Sequence, residues 1–302
     1  MDEILGHPTD YVCGYVAIAG KPNVGKSTLV NRFLNFPLSI ITPKPQTTRH
    51  KILGILSEAN YQIIFLDSPG IIQPKYALQD LMVKAAWSAI EEADIVLLMV
   101  EPWPEGVEEI ADIMERLKSL QKSVVLAINK IDLVRKPELL PVIDEYSRRY
   151  AIDDIVPISA LKDDGLDRLK QVLIDRLPHQ PPFYPPDELT DRPQRFLVSE
   201  IIRQKVYEHY GEEIPYSVAV VVDEFVERQS GKDYIKATII CERDSQKAII
   251  IGSKGDAIKR LGKAARDEIE TFLGKGVYLE LVVEVRKNWR KDERAVKRLG
   301  QA

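Results

Sequence analysis

Residues 15–34 carry a strand, a glycine loop and a helix in immediate succession, and this restricts the chain to a narrow group of folds. Tyr15-Val-Ala-Ile-Ala19 is a short apolar run of strand type, Gly20-Lys-Pro-Asn-Val-Gly-Lys-Ser27 follows without a spacer, and Ser27–Leu34 reads as a helix. The loop fits GxxxxGK[ST], in which the glycines let successive backbone N–H groups converge on phosphate oxygens that a Cβ would push away. A helix starting beneath those phosphates adds unpaired N–H groups and a positive dipole end. A plain glycine-rich turn would require neither flanking element. Lys26 is expected to reach the outer phosphates and Ser27 to ligate Mg2+, with Gly20, Lys21, Pro22, Asn23, Val24, Gly25 and Thr28 forming the rest of the phosphate wall.

Strand-like runs recur at Val16–Ala19, Ile52–Leu56, Tyr61–Leu66, Ile95–Val100, Val124–Ile128 and Ile155–Ile158, separated by amphipathic stretches. That alternation predicts a mostly parallel sheet covered by helices, with ligands at the carboxyl ends of the strands. The remaining polar words fall at those ends. Asp67-Ser68-Pro69-Gly70 follows one strand; its carboxylate suits Mg2+, through water, and the Gly70 backbone suits the terminal phosphate. Asn129-Lys130-Ile-Asp132 follows another, and the Asp132 carboxylate can accept from guanine N1–H and the exocyclic amine, which adenine does not offer. Ser159-Ala160-Leu161 would place a backbone N–H near guanine O6.

Pro43-Lys-Pro-Gln-Thr-Thr-Arg-His50 reads either as a plain surface loop or as a mobile one in which Thr47 or Thr48 completes the magnesium shell when a γ-phosphate is present. Ile71 and Ile72 occupy the place where a water-orienting glutamine stands in Ras-like proteins, so intrinsic hydrolysis is expected to be slow. Lys26, Thr48, Gly70 and Asn23 are the candidate catalytic residues.

A length of 302 residues suits two domains, and 45% hydrophobic residues can supply both cores. The net charge of -4 hides an asymmetry: residues 190–302 hold 22 Lys and Arg against 19 Asp and Glu. Cys13 and Cys241 are far apart and read as small buried apolar residues, and the histidines at 7, 50, 179 and 209 have no ligand or triad spacing. The opening Met1-Asp-Glu-Ile lacks a targeting pattern and no apolar run reaches the ~18 residues of a membrane span, so a cytoplasmic location is expected.

Residues 177–193 hold six of the 19 prolines and read as an extended linker. Beyond it the pattern is α-β-β-α-α-β: a helix at 193–209, strands at 217–227 and 234–241, helices at 245–251 and 256–273, and a strand at 277–285. Gly252-Ser253-Lys254-Gly255 lies between two helices, where RNA backbone can rest against the peptide. The window Arg243–Arg266 holds seven Lys and Arg against two acidic residues, and Arg286–Arg298 repeats that ratio. The second run reads as a solvated helical tail or as a contact with RNA or a membrane surface.

GKPNVGKS, the QTTRH loop, DSPG, NKID and SAL, together with the stretch from Ala248 to Gly262 and the ending from Asp292 to Gly300, resemble the Era family of bacterial GTPases across nearly the whole chain. Ser68 departs from the family's usual threonine. The resemblance implies an α/β P-loop NTPase (Ras-like GTPase) domain at 1–178, a proline-rich linker at 179–193 and an α+β type II KH domain with a basic tail at 194–302. It also implies a monomeric GTP/GDP switch that binds 16S ribosomal RNA near its 3′ end and assists maturation of the 30S subunit. Ile251, Gly252, Ser253, Lys254, Gly255, Lys259, Arg260 and Lys263 are the implied RNA contacts, and Asn23 with Ile71 implies a K+ ion beside the phosphates, as in related GTPases. A KH-like protein-docking module is the alternative for the second domain.

Overall fold

The structure is a computed structural model that describes residues 10–300; the opening Met1-Asp-Glu-Ile and His7 lie outside the described residues. It divides into two compact units. Of the described residues, one comprises 10–39, 48–73 and 82–191, the other 40–47, 74–81 and 192–300.

The first unit is built on a six-stranded sheet in the order β2-β3-β1-β4-β5-β6. Its strands are β1 (Val12–Gly20), β2 (Ile52–Ser57), β3 (Tyr61–Asp67), β4 (Ile95–Val100), β5 (Ser123–Ile128) and β6 (Ile155–Pro157). The helices in chain order are α1 (Lys26–Leu34), α2 (Ala77–Glu92), α3 (Glu105–Glu109), α4 (Ala111–Ser119), α5 (Lys136–Tyr150) and α6 (Leu166–Ile174). Every pairing is parallel except that of the edge strand β2 with β3. Buried runs such as Ile63–Leu66 and Ile95–Met99 are apolar at every position because both faces of the sheet are covered. Cys13, Ala17 and Ala19 face a cluster with Trp87, Ile90, Val142 and Tyr146, while the alternate residues Val16 and Ile18 are also fully buried. Phe33 of α1 stacks on Phe65 of β3 at 5.2 Å.

From β1 the chain passes by α1 to the β3 side of the sheet, and from β3 by α2 to the β4 side. The loop after β1 therefore opens at the reversal in strand order, where an open α/β sheet forms its crevice.

The proline-rich stretch is irregular chain with one tight turn, in which Glu188 N donates to Pro185 O at 3.1 Å, and it is pinned along the first unit. The Cys13 amide donates to Pro178 O at 3.1 Å, and Ile55 N donates to Leu189 O at 2.9 Å. The buried Gln62 side chain accepts from the amides of Phe183 and Tyr184 and donates to Tyr184 O at 2.8 Å. Proline removes backbone donors, so a side-chain amide and strand-edge groups supply the bonds such a segment needs.

The second unit contains α7 (Gln194–His209), α8 (Ile214–Ser217), β7 (Ala219–Val226), β8 (Asp233–Cys241), α9 (Asp244–Ile251), α10 (Asp256–Leu273), β9 (Val277–Val285) and α11 (Glu293–Gly300). The strands form one sheet in the order β7-β8-β9, with β7–β8 antiparallel and β8–β9 parallel. Leu261, Ala265 and Ile269 recur every fourth residue on α10 and reach full burial against Val198, Ile202 and Val206 of α7 and the inner sheet face. Cys13 and Cys241 are free and buried, each in its own core.

Candidate functional site

Gly25 ends the glycine loop in a left-handed conformation at φ 101°, and a Cβ there would lie 2.2 Å from Asn129 Nδ2. Only glycine meets both demands. The contact exists because Asn129 ties three loops together: its Nδ2 donates to Val24 O at 2.7 Å and its Oδ1 accepts from Ala160 N at 2.9 Å. Asn129 is thus a buried brace between the phosphate loop and the Ser159–Leu161 loop. Each of its bonds is worth about 1 kcal/mol net, and an orphaned partner costs about 1–3 kcal/mol.

Lys26 is buried, and its Nζ donates to Gly20 O at 3.2 Å and Lys21 O at 2.8 Å. Burial pushes its ammonium down to about 8, against the pull of the Asp67 charge. Ser27 Oγ donates to Asp67 Oδ2 at 2.9 Å and lies 2.8 Å from Thr48 Oγ1, which leaves Thr48 to donate in that pair. Asp67 is fully buried, and burial raises its carboxyl above the usual carboxylate range, opposed by Ser39, Lys26 and Ser27. Asp67 Oδ1 and Ser39 Oγ make no hydrogen bond of good geometry among the described residues, although the Ser39 hydroxyl is near enough to favour the Asp67 carboxylate. The Ser27 and Thr48 hydroxyls and the Asp67 carboxylate, whose buried Oδ1 is left without a hydrogen bond of good geometry, form a hard donor set that fits Mg2+. Ser27, Thr48 and Asp67 could hold it; Thr47 belongs to the other unit, where its carbonyl accepts from Arg203.

Behind this cluster, Ser68 Oγ donates to Ile18 O at 2.8 Å, so its side chain fastens the loop to β1. Ile71 N donates to Gly20 O at 3.1 Å and draws Gly70 against Pro22, where an added Cβ would lie 2.7 Å from the Pro22 nitrogen. Asn23 is exposed at a left-handed φ of 66°. At the other end of the crevice Asp132 is exposed and its Oδ1 accepts from Ser159 Oγ at 2.6 Å. Lys130 pairs with Glu101, Lys21 pairs with Glu109 at 2.7 Å, and Leu161 is exposed. Ser39, Glu101 and Glu109 escape a reading of the sequence because each enters only through the tertiary fold.

In the second unit Gly252 ends α9 at φ 71°, Ser253–Gly255 form a single tight turn, and Gly255 begins α10 at φ 80°. Ile251 is half-buried on the core side of that turn, and Ser253 and Lys254 are exposed. A groove of about 490 Å³ runs between α10 and β9. Its apolar floor includes Ile258, Leu279 and Leu281, and its rim carries Lys259, Lys263, Arg266 and Lys232. Arg260, on the same helix, does not line the groove; Arg266, which closes the basic window, does, and Lys232 joins it without having been singled out in the sequence.

Residues 15–130 match the family model described as "50S ribosome-binding GTPase", and residues 213–290 match "KH domain". A "GTPase Era" of Geobacter metallireducens is 49% identical over 288 residues, covering 95% of this chain and 97% of that protein. The chain belongs to the Era family of GTPases. A second member, from Lacticaseibacillus paracasei, is 47% identical and covers 97% of each chain. A point variant of Aquifex aeolicus Era bound to GDP.AlF4- superposes with a TM-score of 0.91 at 43% identity, covering 96% of this chain and 99% of that one. Era in complex with MgGDPNP and nucleotides 1506-1542 of 16S ribosomal RNA gives 0.92 at 44%, covering 97% and 99%. The Era-family fold, an α/β P-loop GTPase domain followed by an α+β KH domain, is the one these units display.

Proposed function

We propose that this Era-family GTPase hydrolyses GTP to GDP and phosphate with Mg2+, binds 16S ribosomal RNA near its 3′ end through the KH groove, and assists assembly of the 30S subunit. The observation that carries the reading is the pair of linked clusters in one crevice: Ser27–Thr48–Asp67 at the phosphate end and Asp132–Ser159 at the base end, braced by Asn129. Residues 1–178 act as the GTPase domain, 179–193 as the connection and 194–302 as the RNA-binding domain. The chain is taken as a cytoplasmic monomer, with Arg286–Arg298 as the surface for any peripheral membrane contact. Among the described residues no helix is long and apolar enough to cross a membrane.

Backbone amides and Lys26 grip the phosphates; Ser27, Thr48 and Asp67 hold Mg2+, which neutralises charge on the β- and γ-oxygens when bound. The Gly70 amide meets the γ-phosphate. Ile71 supplies no polar group to the attacking water, so rate enhancement rests on positioning and electrostatic stabilisation. Incubation of the full chain with GTP, with and without Mg2+, and measurement of phosphate release and of binding to a 16S 3′ fragment tests the proposal. No Mg2+-dependent release, or no RNA binding, contradicts it.

Lys26 gives this reading a pH signature. Its pKa of about 8 without ligand rises when a phosphate sits beside Nζ, so binding takes up a proton above that pH. GDP affinity is expected to stay level from pH 6 to about 8 and then to fall, by up to about tenfold per unit, until the bound-state pKa is passed. Calorimetry of GDP binding in two buffers of different ionisation enthalpy checks this; level affinity to pH 9.5 refutes it.

Asn23 presents a carboxamide oxygen, a hard donor suited to K+, at the phosphate loop beside a segment with no water-orienting glutamine. Turnover in K+ is expected to exceed that in Na+ by about tenfold, equivalent to about 1.4 kcal/mol of transition-state stabilisation. Asn23→Ala should abolish the difference, and equal rates in the two salts would remove the ion from the scheme.

A further inference from the structure

The segment that follows α1 is fastened from two sides, and every residue involved belongs to the GTPase unit. Asn31, on the helix, clamps the backbone of Ser39: its Nδ2 donates to Ser39 O at 2.8 Å and its Oδ1 accepts from Ser39 N at 2.9 Å. Leu38 is buried at 2% exposure and packs so closely on β2 that a Cβ at Gly54 would lie 2.9 Å from its Cδ2. Surface loops usually leave backbone groups to water. Here both ends of one side-chain amide and a buried neighbour hold Ser39 in place, and only its side-chain torsions stay free.

The group so held is a hydroxyl beside the Asp67 carboxylate. Ser39 is 4% exposed, and its Oγ lies near enough to favour the charged carboxylate, yet it makes no hydrogen bond of good geometry among the described residues. Asp67 Oδ1 is in the same condition, whereas Oδ2 accepts from Ser27. Buried polar atoms are satisfied in the great majority of cases, so two neighbouring exceptions mark a place that a ligand completes. One is a carboxylate oxygen, which only accepts, and the other a hydroxyl, which also accepts. A single water donates to both. Mg2+ dehydrates reluctantly and keeps several waters, so an ion held at Ser27 and Asp67 brings such a water with it.

We infer that Ser39 is a positioning residue for Mg2+: together with Asp67 Oδ1 it holds a water ligand of the ion, one proton of that water going to each oxygen. The inference deepens the proposed GTPase function and rests on the Mg2+ site assigned there to Ser27 and Asp67. It makes a selective claim, because Ser39 acts on the metal through a water and takes no part in gripping the guanine or the phosphate loop.

The test uses the full chain with Ser39→Ala, with Ser39→Cys, which keeps the volume but exchanges the hydroxyl for a weak acceptor, and with Asp67→Ala alone and combined with Ser39→Ala. Release of a fluorescent GDP analogue is followed as Mg2+ is titrated from zero, with thermal unfolding as a check on the fold. The Mg2+ concentration that half-slows release is expected to rise about tenfold in both Ser39 variants, the scale on which outer partners of a metal site act. Release without Mg2+ should stay within about twofold of wild type, which a general loosening of the loop would not allow. Added to Asp67→Ala, Ser39→Ala should cost less than about a further twofold, because both residues hold one water. An unchanged midpoint in either Ser39 variant, equal acceleration with and without Mg2+, or a full additional loss on top of Asp67→Ala overturns the inference. If Ser39→Ala does not fold, Ser39→Cys carries the same comparison. A wild-type chain that does not bind GDP, or whose release of it ignores Mg2+, overturns instead the function on which the inference rests.

Discussion

Asp132→Asn is expected to lower affinity for GTP by a hundredfold or more and to make xanthine nucleotides the better ligands. The wild-type carboxylate can accept two hydrogen bonds from guanine, and bonds to a charged group contribute about 1.5–3 kcal/mol each. Asparagine keeps one acceptor and turns a donor on the other, so one such bond is lost and an unpaired guanine donor is left at a further cost of about 1–3 kcal/mol, roughly 3–6 kcal/mol together, or about two to four powers of ten. The structure also says how the replacement sits. Ser159 Oγ donates to Asp132 Oδ1 at 2.6 Å, so an asparagine is held with its carbonyl oxygen in that place and its amide toward the base. The amide donates where guanine also donates, a clash of like groups, whereas xanthine presents a carbonyl at that position and accepts. Competition of GTP, XTP and ATP for the variant reads the outcome. An unchanged preference for GTP would move the base elsewhere, and equal wild-type affinity for GDP and ADP would remove the guanine assignment altogether. Asn129 offers no comparable switch: both ends of its amide are already committed to Val24 and Ala160.

The difference between Asp132 and Asn129 marks the limit of what could be read from the letters. NKID locates both residues after β5, and spacing alone would assign both to the nucleotide. Their partners depend on which loops the sheet brings together, and that is set by strand order. The strands were legible because buried parallel strands are apolar at every position, a signal that survives without tertiary knowledge. The direction of β2 was not, since an edge strand against β3 has the same composition whichever way it runs. The proline-rich stretch was legible as chain without helix or strand, yet nothing in its composition marks Gln62 as its anchor. Gln62 lies inside an apolar strand, where a polar residue signals only that some partner exists.

The choice between Thr47 and Thr48 was closed to spacing; in the fold the Thr48 hydroxyl meets Ser27 while the Thr47 carbonyl meets Arg203, and the contact with Ser27 is the ground on which Thr48 is proposed as the ligand. The basic window over α10 was legible as charge. Which of its members rim a groove depends on helical phase relative to β9, and phase admits Arg266 and leaves out Arg260.

Gly255→Asp is expected to weaken binding of single-stranded RNA by about a hundredfold at moderate salt, with nucleotide affinity unchanged. The two glycines of the turn are unequal as sites for this experiment. At Gly252, φ is 71° with an extended ψ of 178°, and a Cβ would lie 2.6 Å from Ala257 Cβ, so any side chain distorts the turn. Gly255 has φ 80° and ψ 13°, a left-handed conformation that aspartate and asparagine tolerate at about 1–2 kcal/mol, and a Cβ there meets nothing within 4 Å. The substitution therefore leaves the fold in place and projects a carboxylate into the open space where RNA backbone is proposed to lie. A carboxylate about 5 Å from a phosphate, at an effective dielectric near 20, repels it by about 3 kcal/mol, which exceeds a hundredfold in affinity. Gly255→Asn has the same shape without the charge and should lose much less. A salt titration of both variants separates repulsion from crowding, because only the Asp variant recovers toward the Asn value as ions screen its charge. Unchanged RNA affinity in both would make the unit a protein-docking module, with the basic rim of the α10–β9 groove serving an acidic partner instead.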